Sequence, residues 1–204
     1  MWPVLRGSLW HATSIEKSAA IIDEGVIRIG DTSTYRSSHC HKMGCVSLFD
    51  FSEPLEDIAS QFMNWAGWFG AQSHIRGKAT VWFRIDRDAV RGAVKTVKET
   101  YKEWAANGYA QYIPFVEVGH RGPVPVSAVT GALVISCQDR SQFKMIEAGP
   151  DWQGRIAAYA ATLTKLPPPS AFELAMLAST RRPQASRAAI PKSDESLTMD
   201  RPPG

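Results

Sequence analysis

Cysteine is scarce in this chain: Cys40, Cys45 and Cys137 are the only three in 204 residues. Three thiols do not make a disulfide framework, so a reducing compartment, the cytoplasm, is expected. Long hydrophobic runs are missing too. None approaches the ~20 apolar residues of a membrane span, and the opening "MWPVLRGSLW" lacks the charged-then-apolar layout of a secretory signal. No membrane partner is therefore expected. Charge of one sign is absent: 23 Lys and Arg against 20 Asp and Glu leave +3. That is too little for a protein that coats DNA, and it leaves room for nucleic-acid contact. No Gly-rich phosphate loop follows a strand, which argues against a doubly wound nucleotide fold. Neither Ser47 nor Ser127 sits in a G-x-S-x-G elbow, and no repeat at solenoid spacing occurs.

What the chain does have is a globular composition, 44% hydrophobic and 21% charged. "LWH" at Leu9–His11 reads as a short strand, with Thr13 or Ser14 as the N-cap of a helix that places Ile15, Ala19 and Ile22 on one face. Gly25 suits the left-handed stop of that helix, and "VIRIG" suits a second short strand. "DTSTYRSSHCHKMG" reads as a loop, "CVSLFDF" as a strand, and "EPLEDIASQFMNWAGWFG" as a helix with Pro54 near its first turn. "ATVWFRID" is a strand, "RDAVRGAVKTVKETYKEWAANG" a helix, "YIPFVEVG" a strand, Ala132–Cys137 an apolar strand, and "PDWQGRIAAYAATLTKL" a late helix. The pattern predicts an α+β domain over 1–165, with a mixed, largely antiparallel sheet and flanking helices. The stretch 166–204, dense in Pro, Ser, Ala and charge, is expected to be a mostly disordered tail with at most a short helix.

Chemistry-bearing residues are few. His11 stands where a strand hands over to a helix, as either a local cap element or part of a site. Glu117 lies in an apolar strand, where a carboxylate is costly unless it is paired, faces a cleft, or sits on a solvated side. His39, Cys40, His41 and Cys45 are zinc-ligand types, but neighbouring residues of an extended segment point apart and no second pair completes a tetrahedron, so no metal is expected. Trp65, Trp68, Trp82 and Trp104 read as core.

Taken in order, "LWHATS", "MGCVSLFDF" and "IPFVEVGHRGPVPVSAV" resemble the three motifs of the ADP-ribosyltransferase family, in its His-x-Glu branch. The segments "VSLFDFSEPLEDIASQF" and "VEVGHRGPVP" are also similar to bacterial toxins that ADP-ribosylate nucleic acid. The resemblance covers about residues 5–140. It implies a split sheet and an NAD-dependent transferase that cleaves the nicotinamide–ribose bond and passes ADP-ribose to an acceptor, nucleic acid or protein. It gives Glu117 the role of stabilising positive charge at the ribose. His11 would bond a ribose hydroxyl, backbone groups at Ala12 would hold the nicotinamide amide, and Thr13 would brace the strand. Ser47 would line the nicotinamide pocket and Arg36 would meet the pyrophosphate. Ala12 replaces the family's usual Gly, and Ser47 stands where one branch has Tyr. A toxin or defence effector would imply an antitoxin-like partner. An RNA 2′-phosphotransferase, or a non-catalytic nucleotide- or partner-binding module, shares the same expected fold.

Overall fold

The computed structural model describes residues 2–30, 38–52, 54–65, 79–107 and 111–163. The expected tail, Arg36 and Trp68 lie outside them. A six-stranded sheet carries the chain: β1 (Leu9–Ser14), β3 (Cys45–Asp50), β4 (Ala79–Ile85), β5 (Glu117–Arg121), β7 (Val129–Ser136) and β8 (Phe143–Glu147), in the order β5-β3-β1-β4-β7-β8. All its ladders are antiparallel. A second, two-stranded sheet joins β2 (Val26–Ile27) to β6 (Val124–Pro125). This is the expected α+β class. Among the described residues no helix is long and apolar enough to cross a membrane.

Alternation along the strands builds a core on each face of the sheet. Leu9, Val81, Phe83, Leu48, Val118 and Val134 point to one face. There they meet α2 (Ile15–Glu24) and α8 (Trp152–Thr162) through residues such as Ile22, Trp152 and Ile156. Trp10, Phe49, Trp82, Leu133 and Ile135 point to the other. They pack against Leu5 of α1 (Trp2–Leu5), Ile58 of α4 (Leu55–Ser60) and Trp65 of α5 (Phe62–Trp65). The indoles of Trp10 and Trp65 donate to the carbonyls of Leu5 and Ile58, so their burial strands no donor.

Several boundaries differ from the sequence reading. β1 does not stop at His11 but runs to Ser14, whose hydroxyl accepts from the Lys17 amide as the cap of α2. Gly25 ends α2 with φ 71°, as its sequence position suggested. The segment after Pro54 breaks into α4 and α5 at Gln61. The long helix expected from Arg87 is two: α6 (Arg87–Val90) and α7 (Val97–Asn107). The chain between them is drawn out because it covers the edge strand β5. Lys95 N–H donates to Gly119 O, and Arg121 N–H donates to Ala93 O, which satisfies part of an otherwise open sheet edge. Within the loop expected around His39, Ser38 caps a short helix, α3 (His39–Lys42). β8 had no counterpart in the sequence reading.

The pairing of β1 with β3 positions the site. β1 makes six register pairs with β4, and β3 makes five with β5, yet β1 and β3 share two, Leu9↔Asp50 and Trp10↔Phe49. Beyond Trp10 the two strands part, so the sheet has a seam that is closed at one end. Asp50 marks the closed end. Its buried carboxylate takes a forked pair of bonds from Arg87 of α6, at 2.6 and 2.9 Å, and two more from Ser52.

Candidate functional site

His11 is the first residue of β1 past the last β1–β3 pair. Its Nδ1 lies 3.0 Å from the Ser47 carbonyl oxygen on β3. A carbonyl only accepts, so Nδ1 carries the proton, and in the neutral ring Nε2 is left as an acceptor. Burial lowers the His11 pKa to about 4, against the smaller, raising effect of the Ser47 carbonyl. The ring is therefore neutral at physiological pH, and its Nε2 lone pair accepts no hydrogen bond among the described residues.

Ser47 also reaches the other way. In the β3–β5 register Ser47 faces Gly119 and Phe49 faces Glu117, which makes Ser47 and Glu117 diagonal neighbours on one face. The Ser47 hydroxyl donates to Glu117 Oε1 at 2.7 Å. Glu117 Oε2 accepts from the Ile113 backbone N–H at 3.1 Å, while the Glu117 N–H donates back to Ile113 O at 2.9 Å. The Cys40 thiol of α3 lies near the carboxylate and favours its charged form. Glu117 is only 6% exposed. Burial pushes its pKa up, and Ser47, Ile113 and the nearby Cys40 thiol pull it back in that order without cancelling the rise. Among the described residues two hydrogen bonds reach the carboxylate, which has roughly four acceptor positions.

The turn that delivers Glu117 is strained. Phe115 has φ 63°, a left-handed conformation uncommon for a bulky residue. The reciprocal bonds between Ile113 and Glu117 close this turn. Glu117 therefore opens β5 directly after a turn; it does not sit in mid-strand as the sequence suggested. Beside it, the Tyr112 hydroxyl is buried without a hydrogen-bond partner among the described residues, and burial, with the Glu117 charge second, drives its pKa up.

A comparison with family models, curated proteins and solved structures found no match. The site thus stands on its own geometry. Of the residues expected to form it, His11, Ser47 and Glu117 are joined through hydrogen bonds centred on Ser47. Ala12 and Thr13 follow on β1, paired to Trp82 and Val81 of β4 and without a β3 register partner, so they border the seam. Arg36 lies outside the described residues. Sequence reasoning missed the Ile113 amide and Cys40. Pro114, next to Ile113, was the one sign of a turn there. An apolar cavity of about 220 Å³ among Trp2, Leu5, Leu55, Ile58, Ala59, Phe62 and Trp65 shares no residue with this cluster.

Proposed function

We propose that the chain is an NAD-dependent ADP-ribosyltransferase whose macromolecular acceptor is modified at the seam between β1 and β3. The observation that carries this reading is the His11–Ser47–Glu117 linkage across the seam. It presents a neutral imidazole acceptor on one side and a buried carboxylate on the other. NAD, when bound, supplies the scissile bond between nicotinamide and ribose. Nε2 of His11 is suited to accept from a ribose hydroxyl. The carboxylate of Glu117, poorly solvated and held by fixed donors, is suited to stabilise positive charge at the ribose, because such charge is best met by a group that need not reorganise. Ser47 acts as the positioning residue between them. Incubation with labelled NAD and a mixed pool of nucleic acids and proteins tests the proposal. It expects free nicotinamide and label on an acceptor, and NAD left intact under all conditions would refute it.

His11→Ala should weaken NAD binding by ~0.5–1.5 kcal/mol, the net worth of one hydrogen bond, as read by calorimetric titration. In the wild type this contribution should persist as pH falls below the ordinary histidine value of 6.5, fading only near 4. The stability tied to the neutral ring follows the same window, present above 6.5 and lost as pH falls through about 4. Unchanged affinity with a large drop in melting temperature would reduce His11 to a strut across the seam.

A further inference from the structure

The aromatic residues next to the site are not all core. On α7, Tyr101 is 41% exposed. Its ring stacks on Phe115, with centroids 5.9 Å apart and planes 14° from parallel. Trp104, read from the sequence as core, is only half-buried; its ring lies 5.8 Å from Tyr101 and 5.4 Å from Tyr112. The four rings form a continuous chain along α7 and the strained turn that leads into Glu117.

Charge on α7 is sorted around this chain. At roughly 100° per residue, Lys98 and Lys102 fall within about 100° of Tyr101, and Glu99 and Glu103 about 160° away. Both acids are engaged. Glu99 accepts from the Thr96 amide and hydroxyl, and Glu103 pairs with Lys95 at 2.6 Å. Lys98 and Lys102 are exposed and form no ion pair among the described residues. An exposed aromatic face flanked by uncommitted lysines is the combination that holds unpaired bases by stacking and their phosphates by charge.

We propose that the Tyr101–Phe115 face, with Lys98 and Lys102, binds single-stranded nucleic acid. Tyr101 provides the stacking platform and the two lysines track the backbone. Every base has a π-face, so recognition is tolerant of sequence, and a duplex, whose bases are already stacked, lacks what the platform offers. As an acceptor surface the proposal rests on the transferase reading; as a binding surface it stands without it.

The test is fluorescence anisotropy of the full chain with short labelled oligoadenylate, oligodeoxyadenylate and a duplex of equal length. Both single strands should bind more tightly than the duplex, and the two arms distinguish RNA from DNA. Tyr101→Ala should weaken single-strand binding about tenfold or more. Lys98→Gln with Lys102→Gln should lower the slope of log affinity against log salt by about 1.4, at about 0.7 per phosphate contact. Nicotinamide release from NAD alone should be unchanged in all these variants, since none of the three residues belongs to the candidate site. Equal binding of duplex and single strand, or unaltered affinity in a Tyr101→Ala protein with a wild-type melting curve, would overturn the platform. Absence of NAD cleavage with the binding pattern intact would sink the transferase reading alone.

Discussion

Glu117→Gln should abolish most turnover and leave the fold intact or improve it. The shape is conserved, and the amide can refill the pocket: its oxygen accepts from the Ile113 N–H while its NH₂ donates to Ser47 Oγ, whose hydroxyl turns away. The charge is what disappears. Loss of one preorganised electrostatic group costs about 10²–10³ in rate, and nicotinamide release should fall by that factor. Stability should move the opposite way. Burial raises the folded pKa of Glu117 above its ordinary 4.5, so the folded state holds this proton more tightly than the unfolded chain does. The stability tied to it is complete below 4.5 and is lost as pH rises through the folded value. Gln carries no such penalty, so at neutral pH and above the variant should melt no lower than the wild type. Undiminished nicotinamide release by this well-folded variant would remove Glu117 from the chemistry.

Ser47→Ala is the second large effect. It deletes the donor to Oε1 and leaves the carboxylate with the Ile113 N–H. A hydrogen bond to a charged group is worth ~1.5–3 kcal/mol, which corresponds to about 10- to 100-fold in rate. The loss should have a signature that a packing defect lacks. Without the Ser47 hydroxyl the carboxyl protonates more readily, so the acidic limb of the pH–rate profile should move to higher pH. Ser47→Thr, which keeps a hydroxyl, should restore much of it. A rate loss at every pH, with the limb in place and no rescue by Thr, would mean that Ser47 only fills space.

The parts of this architecture that local chemistry dictates were legible in the sequence. Ser14 and Gly25 bracket α2 because a hydroxyl cap and a left-handed stop are local requirements. β3 and β4 could be read from their alternation. What escaped depends on distant partners. The chain between α6 and α7 has helical spacing, but its amides and carbonyls are drawn to Gly119 and Arg121. α3 has four residues, and it is tied to the segment before Glu117 by His39 N–H donating to Gln111 O. β8 mixes Lys144 and Glu147 with Phe143 and Ile146, a weak signal that pairing with β7 turns into a strand. In the site, the three side chains were identifiable by type, but the Ile113 donor was not. It is a backbone group aimed by a left-handed Phe115, and no residue pattern at this position announces that conformation.

The short ladder between β1 and β3 also bears on how the protein breathes. Two register pairs hold that seam, against six and five on either side. Cooperative opening follows the weakest line of backbone bonds. In native-state hydrogen exchange, β3 and β5 should therefore form one protection group and β1, β4 and β7 another. The amides bordering the parted stretch beyond Trp10 should exchange earlier than those inside either group. A seam that opens below the cost of global unfolding would let a substrate enter between two halves that each stay folded.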